Sequence, residues 1–161
     1  MAVERDVTSL TDNAGYLLSR VGTAVQAGFK EVISAWEIRP LHFLILIALG
    51  RTEGTSQQEL CRTSGVDSGN MVELIDTLER LGYAERRRDP RDRRRHLVVL
   101  TDDGRSAFTA MTEAVSRYNA RFLAPLGQAE QAALISSLTK LYVTTPEGQG
   151  RPEYAEPERK R

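Results

Sequence analysis

Residues 56–104 read SQQELCRTSGVDSGNMVELIDTLERLGYAERRRDPRDRRRHLVVLTDDG, and three patterns inside that stretch set the architecture. Ser56-Gln57-Gln58-Glu59 has the form of a capping box: the serine hydroxyl takes the backbone N–H of Glu59, the glutamate returns to the serine N–H, and a short helix is expected from there to about Thr63. Ser64-Gly65-Val66-Asp67 is a tight connection, with Gly65 open to a left-handed backbone and Asp67 placed to cap a second helix. That helix carries Met71, Leu74, Ile75, Leu78 and Leu81 at helical spacing, and Gly82 ends it. Two helices joined by three or four residues containing glycine form a helix-turn-helix candidate.

The next ten residues, Arg86 to Arg95, hold seven arginines against Asp89 and Asp92, a net charge of +5 in a chain whose formal charge is zero. The remainder is therefore acidic by the same amount, and positive charge is concentrated on one short element, a distribution suited to a polyanion bound at one site. Gly82-Tyr83-Ala84-Glu85 precedes the block, His96-Leu97-Val98-Val99-Leu100 follows it, and Asp89-Pro90 opens a turn within it. It reads as a β-hairpin with an arginine-loaded tip. A charged hairpin is often no more than a solvated loop; the order of elements decides otherwise. Helix, turn, helix and then a basic hairpin is the layout of a winged helix, in which the second helix enters the major groove and the hairpin reaches backbone or minor groove beside it.

Outward from that stretch the chain reads as helices. From about Thr8 to Ile33, Leu17, Leu18, Val21, Ala24, Val25, Phe29, Val32 and Ile33 recur at steps of three and four, interrupted by Gly15, Gly22 and Gly28. Each glycine costs roughly 1 kcal/mol in a helix interior, so this helix depends on packing against something else. Pro40 opens an unbroken apolar run to Leu49; the run alone fits a buried strand equally well, and proline in the first turn with helical neighbours favours a helix buried on all sides. Phe108, Met111, Val115, Tyr118, Phe122 and Leu126 follow helical steps from Thr101 to about Ala124, and Leu134, Leu138, Leu141 and Tyr142 continue on another helix after Pro125-Leu126-Gly127. Residues 144–161, with three prolines, two glycines and many charges, are expected to be a disordered tail.

The whole stretch resembles the MarR-type transcriptional regulators. The resemblance is carried by Gln58-Glu59-Leu60, by Leu78-Glu79-Arg80-Leu81-Gly82, by Arg87-Arg88-Asp89-Pro90-Arg91-Asp92-Arg93-Arg94 and by Leu100-Thr101-Asp102-Asp103-Gly104-Arg105. The basic-acidic wing followed by Leu-Thr and glycine is its most specific part, and a looser likeness spans residues 8–143. It implies a mainly α fold: a winged helix-turn-helix lobe over residues 36–104 with a two-stranded β-hairpin wing, and long N- and C-terminal helices, residues 1–35 and 105–143, forming a dimerisation region. A homodimer then predicts a roughly palindromic double-stranded DNA site, with half-sites about 34 to 36 Å apart.

Roles in DNA binding follow residue by residue. Ser68, Gly69 and Asn70 open the second helix, where side chains reach base edges and backbone N–H groups favour phosphate. The Asn70 amide suits a bidentate contact with adenine, or else hydrogen bonding at the helix start. Ser56 and Gln57 are candidate phosphate contacts, with Ser56 also a cap. By the family resemblance, Asp92 and Arg94 are the wing pair, the acid orienting a guanidinium that enters the minor groove; Arg91, Arg93 and Arg95 meet phosphates. Where the family often has a basic residue in mid-helix this chain has Glu73, which repels phosphate and suits a cytosine amino group. The resemblance further implies a small aromatic or phenolic effector between the dimerisation helices and the DNA-binding lobe, with Phe29, Trp36, His42 and Phe43 as candidate pocket residues and ordinary core packing as the plainer role.

Other function classes find little footing. There is no glycine-rich phosphate loop, nucleophile motif or paired histidine and acid, so no enzyme and no cofactor is expected. His42 and His96 are too far apart in sequence to suggest a metal site, and the single cysteine, Cys61, excludes an internal disulfide and suits a small buried side chain better than a redox sensor. With no apolar stretch near 18 residues and no export signal, a cytoplasmic protein without membrane attachment is expected. An RNA-binding basic hairpin and a protein-interaction module without duplex specificity are the alternatives; the hairpin's lack of aromatics for stacking weighs against RNA.

Overall fold

The computed structural model describes residues 10–90, 92 and 94–149; the candidates Arg91 and Arg93 and residues 150–161 of the expected tail lie outside them. In order, the elements are α1 (Ala14–Ser34), α2 (Pro40–Gly50), α3 (Gln57–Ser64), α4 (Ser68–Arg80), β1 (Ala84–Arg88), β2 (His96–Leu100), α5 (Asp102–Leu123), α6 (Gln128–Tyr142) and a single turn α7 (Pro146–Gln149). The fold is mainly α with one two-stranded antiparallel sheet, as expected. The chain divides into two compact units between Tyr118 and Asn119.

In the first unit four of the five predicted stripe residues, Met71, Leu74, Ile75 and Leu78, are buried on α4, with Leu81 half-buried at its C-cap, and the stripe packs with Ile45, Leu46 and Leu49 of α2, Leu60 of α3, and Val98 and Leu100 of β2. Each such side chain contributes roughly 1.5–3 kcal/mol by leaving water. Gly65 takes the left-handed conformation, φ 70°, that lets the chain turn from α3 into α4. The hairpin pairs Ala84 with Leu100 through to Arg88 with His96. A feature not foreseen is a second partner for β2: Thr55 and Val98 exchange backbone hydrogen bonds of 3.1 and 2.8 Å, stitching the entry to α3 onto the hairpin.

Four local expectations are corrected. The first helix starts at Ala14, not Thr8: Asn13 caps it by accepting the Tyr16 N–H at 2.9 Å, after a short 3-10 turn at Leu10–Asp12. The capping box at Ser56 is half formed. Ser56 Oγ accepts the Glu59 N–H at 3.2 Å, whereas the Glu59 carboxylate turns to Arg62, taking Nε at 2.9 Å, because a guanidinium is a stronger donor than a neutral amide. Helix α2 is not buried on all sides, since Leu41 is exposed and only one flank is sealed by the core. Finally, residues 146–149 of the expected tail form a helical turn, begun by Pro146 and capped by Thr145 Oγ1, which accepts the Gly148 N–H at 3.1 Å.

Gly28 of α1 and Gly104 of α5 are explained by close approach rather than by turns. A Cβ on Gly28 would lie 2.4 Å from the Tyr118 hydroxyl, which donates to the carbonyl of Val25 at 3.3 Å. A Cβ on Gly104 would lie 1.8 Å from the Tyr83 carbonyl oxygen. Thr101 completes that joint: its Oγ1 donates to the Gly82 carbonyl at 2.6 Å and accepts the Gly104 N–H at 2.8 Å. The Leu-Thr-x-x-Gly motif is thus the hinge that seats the start of α5 on the backbone leaving α4.

In the second unit, Glu130 Oε2 accepts the Gly127 N–H at 2.8 Å, and Gln131 donates to the carbonyls of Leu123 and Leu126, ordering the turn into α6. None of the 15 residues of α6 is buried, although Ile135, Leu138 and Leu141 are large and apolar.

Candidate nucleic-acid interface

The start of α4 is held by Asp67. Its Oδ1 accepts the Asn70 N–H at 3.0 Å and its Oδ2 accepts from the Asn70 amide at 2.5 Å. These two bonds from Asn70, the backbone one first, hold the Asp67 carboxyl below the usual carboxylate range. Asn70 is therefore engaged at the helix start, the plainer of its two expected roles, through one of its two amide N–H groups, which leaves the other N–H and its carbonyl oxygen for a base. Ser68 and Gly69 are exposed beside it. Gly69, Val72, Glu73, Asp76 and Arg80 continue the exposed stripe at helical spacing. Val72, 39% exposed, is an apolar side chain on that stripe with the chemistry to meet a thymine methyl group, and Glu73 has no ion-pair partner among the described residues. At α3, Ser56 is engaged as a cap and Gln57 is half-buried beside it.

The hairpin arginines divide into two groups. Arg86 turns to α4: its guanidinium pairs with Asp76 at 2.7 Å and with Glu79, and its backbone N–H donates to Glu79 Oε1 at 2.7 Å. Arg87 Nε donates to Glu85 at 2.6 Å. Arg88, Arg94 and Arg95 are exposed toward the tip. The tip is closed by backbone bonds of 2.9 Å, from Asp89 to the Arg95 carbonyl and from Arg95 to the Asp92 carbonyl. Asp92 Oδ1 accepts the backbone N–H of Arg94 at 3.0 Å, so the acid places this arginine through its main chain. Sequence reading missed the inward role of Arg86, whose signal would have been the acids at Asp76 and Glu79 one helical turn apart on α4.

The four candidate pocket residues do not form one site. Phe29 and Phe43 meet edge to face, ring centres 5.5 Å apart, and Phe43 continues to Phe108 at 5.9 Å. Trp36 packs against the core. His42 is 2% exposed and serves as a cap: its Nδ1 accepts the Arg39 N–H at 3.0 Å, while Nε2 is buried without a partner among the described residues. Burial foremost, with Arg39 and Arg80 nearby, pushes its pKa below 6.5. Phe43 alone of the four lines a groove of about 380 Å³ between α2 and α5, with Ile47, Gly50, Arg51, Phe108, Thr112, Val115 and Ser116. Gly50 makes room for the Phe108 ring, 2.9 Å from where its Cβ would stand. The α5 residues were out of reach of local pattern reading, being some sixty positions away. Among the described residues no cluster of histidine, cysteine and acid suits a metal ion, and no helix is long and apolar enough to cross a membrane.

A helix-turn-helix whose second helix is tied to an arginine-bearing hairpin defines a winged-helix protein of the DNA-binding class. The MarR family model matches residues 36–95. The transcriptional regulatory protein assigned to the hcr operon of Thauera aromatica is 31% identical over 135 residues, 83% of this chain and 81% of that protein. Among solved structures, the transcriptional repressor CouR bound to a 23-mer DNA duplex is 32% identical, covering 82% of this chain and 94% of that one with a TM-score of 0.71. CouR from Rhodococcus jostii RHA1 bound to p-coumaroyl-CoA is 27% identical, covering 86% and 97% with a TM-score of 0.69. This chain belongs to the MarR family of winged-helix, DNA-binding transcriptional regulators, a family of regulators and not of enzymes.

Proposed function

We propose that this protein is a cytoplasmic, homodimeric repressor that binds a palindromic operator and releases it in response to a small aromatic or phenolic effector. The observation that carries the DNA reading is the union of an exposed helix start, Ser68 to Asn70, with an arginine-tipped hairpin bonded to the same helix through Arg86. Residues 36–104 act as the DNA-binding lobe. Ser68, Gly69, Asn70 and Glu73 face base edges, Arg94 enters the minor groove, and Ser56, Gln57, Arg91, Arg93 and Arg95 meet phosphates, with Asp92 positioning Arg94.

Dimerisation by residues 1–35 and 105–143 is supported by what each unit leaves uncovered: Leu17, Leu18 and Val21 on α1, and Ile135, Leu138 and Leu141 on α6. The effector reading is supported by the groove between α2 and α5, whose volume and aromatic lining fit a small ligand, and by the CouR complex with an aromatic acyl thioester. Such a ligand shifts the dimer only through unequal affinity for its two conformations.

The test is selection of binding sites from a random duplex library, followed by fluorescence anisotropy on the selected duplex. The expected outcome is a palindrome, with log affinity falling against log salt at a slope of roughly −7 to −9 if each protomer neutralises four or five phosphates. Arg94→Ala is expected to weaken binding by roughly 10-fold or more. Selection of no sequence, or a preference for structured RNA at matched salt, would overturn the reading.

A further inference from the structure

The exposed stripe of α4 carries charge of the wrong sign for its task. Glu73 and Asp76 lie on it, Glu79 flanks it, and Arg80 at its far end is the cation in the stripe. A helix presented to a duplex with three unneutralised carboxylates meets phosphate repulsion along its length. Arg86 reaches two of the three: its guanidinium spans Asp76 and Glu79, and Glu79 also accepts the Arg86 backbone N–H. As a stabilising device for the folded lobe this is weak, since Asp76 is 58% exposed and surface ion pairs contribute little. As an electrostatic device it is well placed.

Resting on the DNA-binding reading above, we propose that Arg86 does not contact DNA but is a positioning residue that bridges Asp76 and Glu79, offsetting one of their two negative charges and drawing both toward the hairpin so that α4 can approach phosphate. Glu73 is left as the carboxylate free to accept from a base. One arginine of the basic block thus serves the duplex by cancelling charge within the protein. The backbone bond from Arg86 to Glu79 fixes the outer edge of β1 to the helix and does not depend on the guanidinium.

That separation makes the role testable by a mutant cycle on the selected duplex. Arg86→Met keeps the aliphatic stem and the backbone donor; Asp76→Asn with Glu79→Gln removes the acids while leaving an oxygen to accept that N–H. Arg86→Met alone is expected to lower affinity 10- to 100-fold. Neutralising both acids is expected to recover at least tenfold when Arg86 is replaced, and to tighten binding less when Arg86 is present, because the guanidinium already offsets one of the two charges. A guanidinium that met phosphate directly would behave oppositely: the Arg86→Met loss would persist undiminished after neutralisation. That result overturns the proposal. So does a triple variant that binds as weakly as Arg86→Met while melting at a lower temperature, because it would make Arg86 a purely structural strut. Failure of the parent protein to bind any duplex would instead count against the DNA-binding reading itself.

Discussion

His42 shows how one side chain carries an obligation the sequence does not advertise. It lies in the most apolar helix of the chain, and its ring is used at Nδ1 to cap that helix, so the neutral tautomer must place its proton on Nε2, where the structure supplies no acceptor among the described residues. A buried donor left in that state costs about 1–3 kcal/mol, and protonating Nδ1 would break the cap as well. Because the folded pKa is below 6.5, the unfolded chain binds the proton more readily. The contribution of neutral His42 is therefore whole above pH 6.5 and is lost as pH falls from there through the folded pKa. His42→Asn retains an acceptor for the Arg39 N–H and removes the titration. Melting curves should show the parent protein losing stability below pH 6.5 more steeply than this variant; parallel profiles would mean that His42 is not held neutral by burial.

At the scale of elements, the hairpin is fastened at three places: to α3 by the Thr55–Val98 bridge, to α4 by Arg86, and to α5 by the Thr101–Gly104 hinge. The hinge has the least tolerance, because the Tyr83 carbonyl occupies the space a Cβ on Gly104 would need. Gly104→Ala must push backbone from backbone, and a destabilisation of about 3 kcal/mol is expected, at the upper end of overpacking costs. The measurement is a denaturant midpoint compared with that of Gly22→Ala, whose Cβ meets nothing within 4 Å and which should be neutral or stabilising. Equal effects at the two glycines would remove the close-approach explanation.

At the scale of the whole molecule, helix α6 has no buried residue although it carries Ile135, Leu138 and Leu141, and a helix left in that condition gains little from the hydrophobic effect that normally holds helices in place. A second copy supplies the missing surface in the dimer proposed above. Ile135→Glu alters a side chain already 58% exposed in the single chain, so the helical content of the folded chain should be retained, whereas light scattering should report a monomer and operator affinity should fall by roughly 100-fold or more as one half-site is lost. A variant that remains dimeric would place the interface elsewhere.

Helical period, caps and turn chemistry act over a few residues, which is why the helix-turn-helix, its buried stripe, the left-handed Gly65 and the presence of an arginine-tipped hairpin could all be read from the chain alone, whereas the hairpin's register and its tip turn at Asp92–Arg95 could not. What folding decided are matters of which long side chain meets which neighbour. The glutamate at 59 chose Arg62 over its own cap, Asn70 chose Asp67, Arg86 left the basic tip to bridge two acids on α4, and Phe108 met Phe43 across more than sixty residues. Local pattern records which residue types are present at each step of a helix or strand; the partner of a charged or aromatic group is chosen among competing contacts of similar strength, three residues away for Glu59 and Asn70 and across elements distant in sequence for Arg86 and Phe108, and only geometry separates them.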